Sequence, residues 1–123
     1  MNRNYEEVLE GINEIRKIDD YTAIIVEGKL DKKALEIFGI ENVFIYTNEQ
    51  KIVNEIKKSG LKEAVILTDY DEEGKRKNYV LKNFLTNSGI KVNNSFRIYF
   101  RKTFRITKIE EMVFYFKVLK LLL

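Results

Sequence analysis

Apolar residues recur along this chain with two alternating rhythms. Val8, Ile12 and Ile15 share one face at helical spacing, which predicts a helix over 4–17. The β-branched run at 21–26 then predicts a short buried strand. Leu30, Ala34, Leu35 and Phe38 form a second helical stripe over 30–38, closed by Gly39. The same alternation continues. A strand is expected at 43–46. Thr47 and Gln50 fit a capping box for a helix carrying Ile52, Val53 and Ile56 and stopping near Gly60. Another strand is expected at 64–67. A long helix over 72–87 turns Val80, Leu81, Phe84 and Leu85 inward and ends at Gly89. Phe96, Ile98 and Phe100 alternate, which predicts a fourth strand at 96–100. Thr107 and Glu110 form a second capping box, opening a C-terminal helix through Met112, Val113, Phe116 and Leu119.

Strands alternating with helices predict an α/β fold with a mainly parallel, four-stranded sheet. The strands are nearly continuous apolar runs, as expected where helices cover both faces. In such folds ligands bind beyond the carboxyl ends of the strands. Two apolar runs end there abruptly in acids and a glycine: Ile24-Ile25-Val26-Glu27-Gly28 and Val65-Ile66-Leu67-Thr68-Asp69-Tyr70-Asp71-Glu72-Glu73-Gly74. Glu27, Asp69 and Asp71 would together make a site for a hard divalent cation such as Mg²⁺. The Asp pair alone has a plainer reading, since acids at a helix N-terminus cap it. Whether the first and third strands are neighbours does not follow from the pattern.

Composition narrows the chemistry. The chain has 123 residues, 45% of them apolar and 33% charged, which fits one domain with a sizeable core. No proline, linker or internal repeat divides it. There is no Cys and no His, so thiolate metal sites and Ser-His-Asp or Cys-His catalysis are excluded on this chain. Carboxylates, amines, hydroxyls or a bound metal remain. The N-terminal segment 1–16 is too polar for a secretory signal, and the apolar segment 112–123 is too short to span a bilayer. No membrane role and a cytoplasmic location are the simplest expectation. The net charge of +3 eases the approach of an acidic partner without identifying one.

Basic residues cluster in two places. Lys29, Lys75, Arg76 and Lys77 follow the acidic turns, where they could contact substrate phosphates. For Lys75 to Lys77 the preferred reading is a solvated helix face; Lys29, abutting Glu27, is the better candidate. The segment 96–108 mixes aromatics with cations and has no acid, a composition that suits single-stranded nucleic acid. Its alternating aromatics are expected in the core, leaving Arg101, Lys102 and Arg105 as phosphate contacts. The ending Val118-Leu119-Lys120-Leu121-Leu122-Leu123 is expected to pack as a helix end, or else to form a homodimer or partner-protein interface.

The motifs Ile25-Val26-Glu27-Gly28-Lys29-Leu30-Asp31 and Thr68-Asp69-Tyr70-Asp71-Glu72-Glu73-Gly74, in that order and context, resemble the Toprim domain. The resemblance covers about 21–100, leaving 101–123 as a C-terminal basic segment and helix within a single domain, 1–123. It is strongest to the small Toprim proteins, among them the nuclease that matures 5S ribosomal RNA and compact archaeal relatives. It implies a three-layer fold and Mg²⁺-dependent cutting or joining of phosphodiesters, with Mn²⁺ as a substitute. By position, Glu27 resembles the family's general base or acid, and Asp69 and Asp71 its Mg²⁺ ligands. Asp31 matches an acidic position of the small members, and Gly28 and Gly74 the turn glycines. Two functions stay open: a nuclease acting on RNA or DNA, and a non-catalytic adaptor in repair or ribosome assembly. A phosphoacceptor receiver domain is disfavoured, because there the acidic pair follows the first strand rather than the third.

Overall fold

The computed structural model describes residues 3–18 and 20–122, apart from the side chains at 3, 4, 117–119, 121 and 122. The elements run α1 (Arg3–Arg16), β1 (Thr22–Val26), α2 (Lys29–Ile37), β2 (Val43–Ile45), α3 (Glu49–Lys58), β3 (Glu63–Ile66), α4 (Glu72–Asn87), β4 (Lys91–Val92) and α5 (Asn94–Phe104). A 3-10 turn (Ile109–Met112) then leads into α6 (Val113–Leu122). The sheet has the order β2-β1-β3-β4 and every pairing is parallel. This is a three-layer α/β fold, with helices packed on both faces of the sheet.

Alternate residues of the strands build the two cores. Ile24, Val26 and Val65 face α1, α2 and α5, where they meet Ile12, Leu35, Phe38, Phe100 and Phe104. Ala23, Ile25, Ala64 and Ile66 face α3 and α4, meeting Ile52, Ile56, Leu81 and Leu85. All five residues of β1 are buried, which is why its sequence shows no polar alternation. Each large aliphatic side chain removed from water here contributes roughly 1.5–3 kcal/mol. Gly11 lets α1 close on α5: a Cβ there would lie 2.5 Å from Thr103 Cγ2 and 2.8 Å from Phe104 Cζ.

Most predicted elements appear within a residue or two, and α4 spans 72–87 as its spacing predicts. The fourth strand is a correction. Residues 96–100 lie inside helix α5, and β4 is the two-residue Lys91–Val92 before it. The boundary drawn at residue 100 therefore falls inside a helix. Asn93 caps that helix, its side chain accepting from Phe96 N at 3.1 Å. Phe96, Phe100 and Phe104 recur every fourth residue and pack toward the core, while Ile98 stays 56% exposed. Two caps also shift. Asn48, not Thr47, caps α3 by accepting from Lys51 N at 2.9 Å. Glu111, not Glu110, closes the later box, accepting from Thr107 N and Lys108 N at 2.9 and 2.7 Å. Val80 and Leu30, read as inward, are exposed, Leu30 by 64%. The C-terminal segment predicted to pack or dimerise lies mostly outside the described side chains.

Candidate functional site

Strands β1 and β3 are neighbours, with Ile25 paired to Ile66, so their carboxyl ends deliver both acidic motifs to one place. Asp69 N donates to Glu27 Oε2 at 2.8 Å, linking the two motifs directly. Lys77 Nζ from the second turn of α4 donates to Glu27 Oε1 at 2.7 Å and also pairs with Glu73 at 3.3 Å. Both oxygens of Glu27 are therefore engaged, and its carboxylate is held in a fixed orientation. Asp69 Oδ1 accepts from Ile109 N at 3.0 Å, so Asp69 is oriented by the 3-10 turn rather than by the helix that follows it. Asp71 is the N-cap of α4, accepting from Gly74 N at 2.8 Å. Capping thus accounts for Asp71 but not for Asp69.

The loop between β3 and α4 is tied down from several sides. Thr68 Oγ1 donates to Gly74 O at 2.7 Å, closing the loop across its base. Tyr70 is buried; its N–H donates to Thr107 O at 2.7 Å and its hydroxyl to Arg97 O at 2.9 Å. Arg97 of α5 is 5% exposed. Its Nη1 donates to Ile66 O and Thr68 O at 3.1 and 2.7 Å, and its Nη2 to Asp69 O at 3.1 Å. The guanidinium also lies 4.4 Å from the centre of the Tyr70 ring. One planar fork therefore fixes the strand end and the first aspartate together.

Gly74 is required for close approach. A Cβ there would sit 2.9 Å from Asp69 Cα and closer still to the Asp69 carbonyl. Gly28 carries no such demand: its backbone is extended, and a Cβ would meet only Asp31 Oδ2, at 3.9 Å.

Crowded negative charge shows in the proton affinities. Burial raises the Asp69 carboxyl, Ile109 N–H opposes that, and the charges of Glu27 and Asp71 raise it further. Asp31, buried at the start of α2, is pushed up to about 6, chiefly by burial and then by Asp69, with Gly28 N–H pulling the other way. The folded state thus binds the Asp31 proton more tightly than the unfolded chain. Its contribution to stability is full below about pH 4 and is lost as pH rises to about 6. Asp31→Asn retains an acceptor for Gly28 N–H and cannot ionise. It should raise stability at pH 7 by on the order of 1–2 kcal/mol, with the gain vanishing near pH 4. Urea unfolding at several pH values measures this.

The donor chemistry fits a hard divalent cation. Asp69 and Asp71 each commit one oxygen to a backbone N–H and can offer the other, and the surrounding acids favour added positive charge. Among the described residues, however, no three carboxylates are gathered closely enough to form a ready three-ligand metal centre. The predicted trio is present as a linked Glu27–Asp69 pair with Asp71 on the adjoining helix cap. The predicted phosphate contacts are more scattered. Lys29, Lys75, Arg101, Lys102 and Arg105 are all exposed. Lys75 lies 3.9 Å from Glu72, as expected of a helix face. Arg101 lies over the Tyr70 ring at 5.7 Å, beside the acidic loop.

Lys77 and Arg97 are the residues that sequence reasoning missed. In sequence Lys77 reads as part of a solvated helix face, and only its place four residues after Glu73 hints at an ion pair. Arg97 would have emerged from a helical reading of Phe96, Phe100 and Phe104. That reading places Arg97 with Phe100 and Phe104 on the buried face.

Among the described residues no helix is long and apolar enough to cross a membrane. Residues 21–95 match the Toprim domain family. The chain is 35% identical over 96 residues to the UPF0292 protein MJ1624 of Methanocaldococcus jannaschii, covering 76% of this chain and 75% of that one. It also resembles the solved structure of a protein from Aquifex aeolicus, with a TM-score of 0.76 and 35% identity, over 84% of this chain and 95% of the other. Toprim domains generally bind Mg²⁺ and are associated with metal-dependent work on nucleic acids. With the acidic motifs on adjoining parallel strands and the match spanning most of the sheet, this chain belongs to the Toprim domain family.

Proposed function

We propose that this protein carries out Mg²⁺-dependent phosphodiester chemistry on nucleic acid, as an RNA- or DNA-processing nuclease. The observation that carries the reading is the Glu27–Asp69 link, with Asp71 beyond it, at the ends of two neighbouring strands. Asp69 and Asp71 would hold the cation, which is usually bound by one or two carboxylates, waters and substrate phosphate. When bound, it would supply charge neutralisation on the phosphate and a more acidic water. Glu27 would hold or move a proton on the attacking or leaving oxygen. Lys77 holds Glu27 in place, and Arg97 keeps Asp69 at the strand end. The exposed cations Lys29, Lys75, Arg101, Lys102 and Arg105 would bind and orient the neighbouring phosphates.

The test is cleavage of labelled single- and double-stranded RNA and DNA with Mg²⁺ or Mn²⁺. Asp69→Ala and Glu27→Gln should each abolish the cleavage seen with the wild-type protein. Equal cleavage by both variants would remove these residues from the site. The second reading, a non-catalytic adaptor, draws on the Lys77 ammonium at Glu27, an ion pair that neutralises the carboxylate without any metal. It expects nucleic-acid binding that persists in chelator and no cleavage with any divalent ion.

A further inference from the structure

Next to the acidic site lies an open groove of about 610 Å³ between α2 and the start of α6. Its apolar wall includes Leu30, Ile37, Val113 and Phe114. All four are exposed, Leu30 by 64% and Phe114 by 67%, so the groove is a surface feature rather than an unfilled core. Lys33 and Lys108 stand at its margin, and among the described residues neither is in an ion pair. Two acids, Glu110 and Glu111, line the same margin. Glu111 Oε1 accepts from two backbone N–H groups, and the charge of Glu110 is felt at Asp31, on the carboxylate side.

The groove is joined to the acidic loop by three consecutive residues. Thr107 O accepts from Tyr70 N, and Ile109 N donates to Asp69 Oδ1. Lys108 lies between them and belongs to both places: it lines the groove and its charge acts on Asp69. On the other side Leu30 follows Glu27 within the same turn. The groove therefore adjoins the acidic loop along Thr107–Ile109.

We infer that the groove is a base-binding subsite, which takes the unpaired base of a nucleotide adjoining the phosphate held at Glu27, Asp69 and Asp71. The match is one of chemistry. A nucleotide presents an apolar π face and an anionic phosphate, and the groove presents an exposed aromatic ring with apolar neighbours beside two ammonium groups that form no ion pair among the described residues. Its volume falls within the range of small-ligand sites. The inference rests on the proposed nucleic-acid function and narrows it: the substrate is single-stranded, or has a splayed base, near the reacting phosphate. A base still paired in a duplex cannot enter.

Fluorescence anisotropy in Ca²⁺, a hard cation that takes the same kind of oxygen ligands as Mg²⁺, with end-labelled single strands of about 12 nucleotides and the matching duplexes, separates the outcomes. Phe114→Ala and Leu30→Ser should each weaken single-strand binding by about 5-fold or more and leave duplex binding unchanged. Phe114→Trp should restore it. Both positions are exposed, so the fold is not at risk. Single-strand binding that both variants leave intact would overturn the groove assignment while the nucleic-acid function stands. Failure of any single strand or duplex to bind wild-type protein would overturn both. A dimer seen by sedimentation, lost in Phe114→Ala with oligonucleotide binding intact, would assign the groove to a second copy instead.

Discussion

Arg97→Met should lower the stability of the fold by about 3–5 kcal/mol. Methionine fills most of the space of the arginine stem but donates no hydrogen bond. The carbonyls of Ile66, Thr68 and Asp69 would lose their Arg97 donors in a place where Arg97 as a whole is 5% exposed. Leaving buried acceptors unpaired costs roughly 1–3 kcal/mol each. Part is recovered by no longer burying a charge, since burial already depresses the Arg97 proton affinity against the opposing pull of Tyr70, Glu27 and Asp69. The net loss remains a large share of the 5–15 kcal/mol that holds a typical domain together. Arg97→Lys should recover little, because an ammonium keeps the charge but cannot reproduce the planar fork across three carbonyls. Chemical unfolding of the three proteins measures the effect, and near-equal midpoints would show that the fork contributes little. A second readout separates fold from site. With the fork gone the Asp69 backbone is free to move, so Mn²⁺ binding, followed by electron paramagnetic resonance on still-folded protein, should weaken as well.

That arginine also marks where the sequence stops being legible. The strands β1 and β3 could be read directly because residues buried on both faces leave an unbroken apolar run, and α4 because sixteen residues repeat a helical pattern. The site acids were visible because charges at the end of such a run stand out. The segment around Arg97 offers two periods at once. Phe96, Ile98 and Phe100 read as a strand, whereas Phe96, Phe100 and Phe104 read as a helix. What decides between them lies elsewhere in the chain: the Asn93 cap, and the space left at Gly11 for α1 to close on Thr103 and Phe104. The role of Lys77 was hidden for a related reason. Its partner Glu27 is 50 residues away, and their meeting depends on β1 lying beside β3. Local pattern finds the strand ends; strand order decides which of them meet.

Gly74→Ala should be the most disruptive single-methyl change in the protein, costing about 3 kcal/mol or more. Its backbone torsions are not the reason, since Gly74 lies in the first turn of α4, where alanine is the better helix former. On propensity alone the substitution would stabilise by up to about 1 kcal/mol. The opposing effect is steric. The new Cβ would stand 2.5 Å from the Asp69 carbonyl carbon and 2.9 Å from its Cα. These are backbone atoms, so no side-chain rotation relieves the contact, and overpacking of this kind commonly costs 1–3 kcal/mol or more. To make room, either α4 moves outward or the Asp69 peptide moves away. The first strains the Thr68 Oγ1–Gly74 O and Gly74 N–Asp71 bonds; the second strains the Arg97 contact and the Asp69 N–Glu27 bond. Either way the two aspartates change their spacing relative to Glu27, so divalent-ion binding should fall together with stability. Gly28→Ala is the control at the other acidic turn, where the added methyl meets only an ordinary 3.9 Å contact. Thermal unfolding should separate the two variants clearly, Gly28→Ala remaining within about 1 kcal/mol of wild type. Equal melting temperatures for Gly74→Ala and wild type would mean that the loop accommodates the methyl group and that the glycine is not needed for the fold.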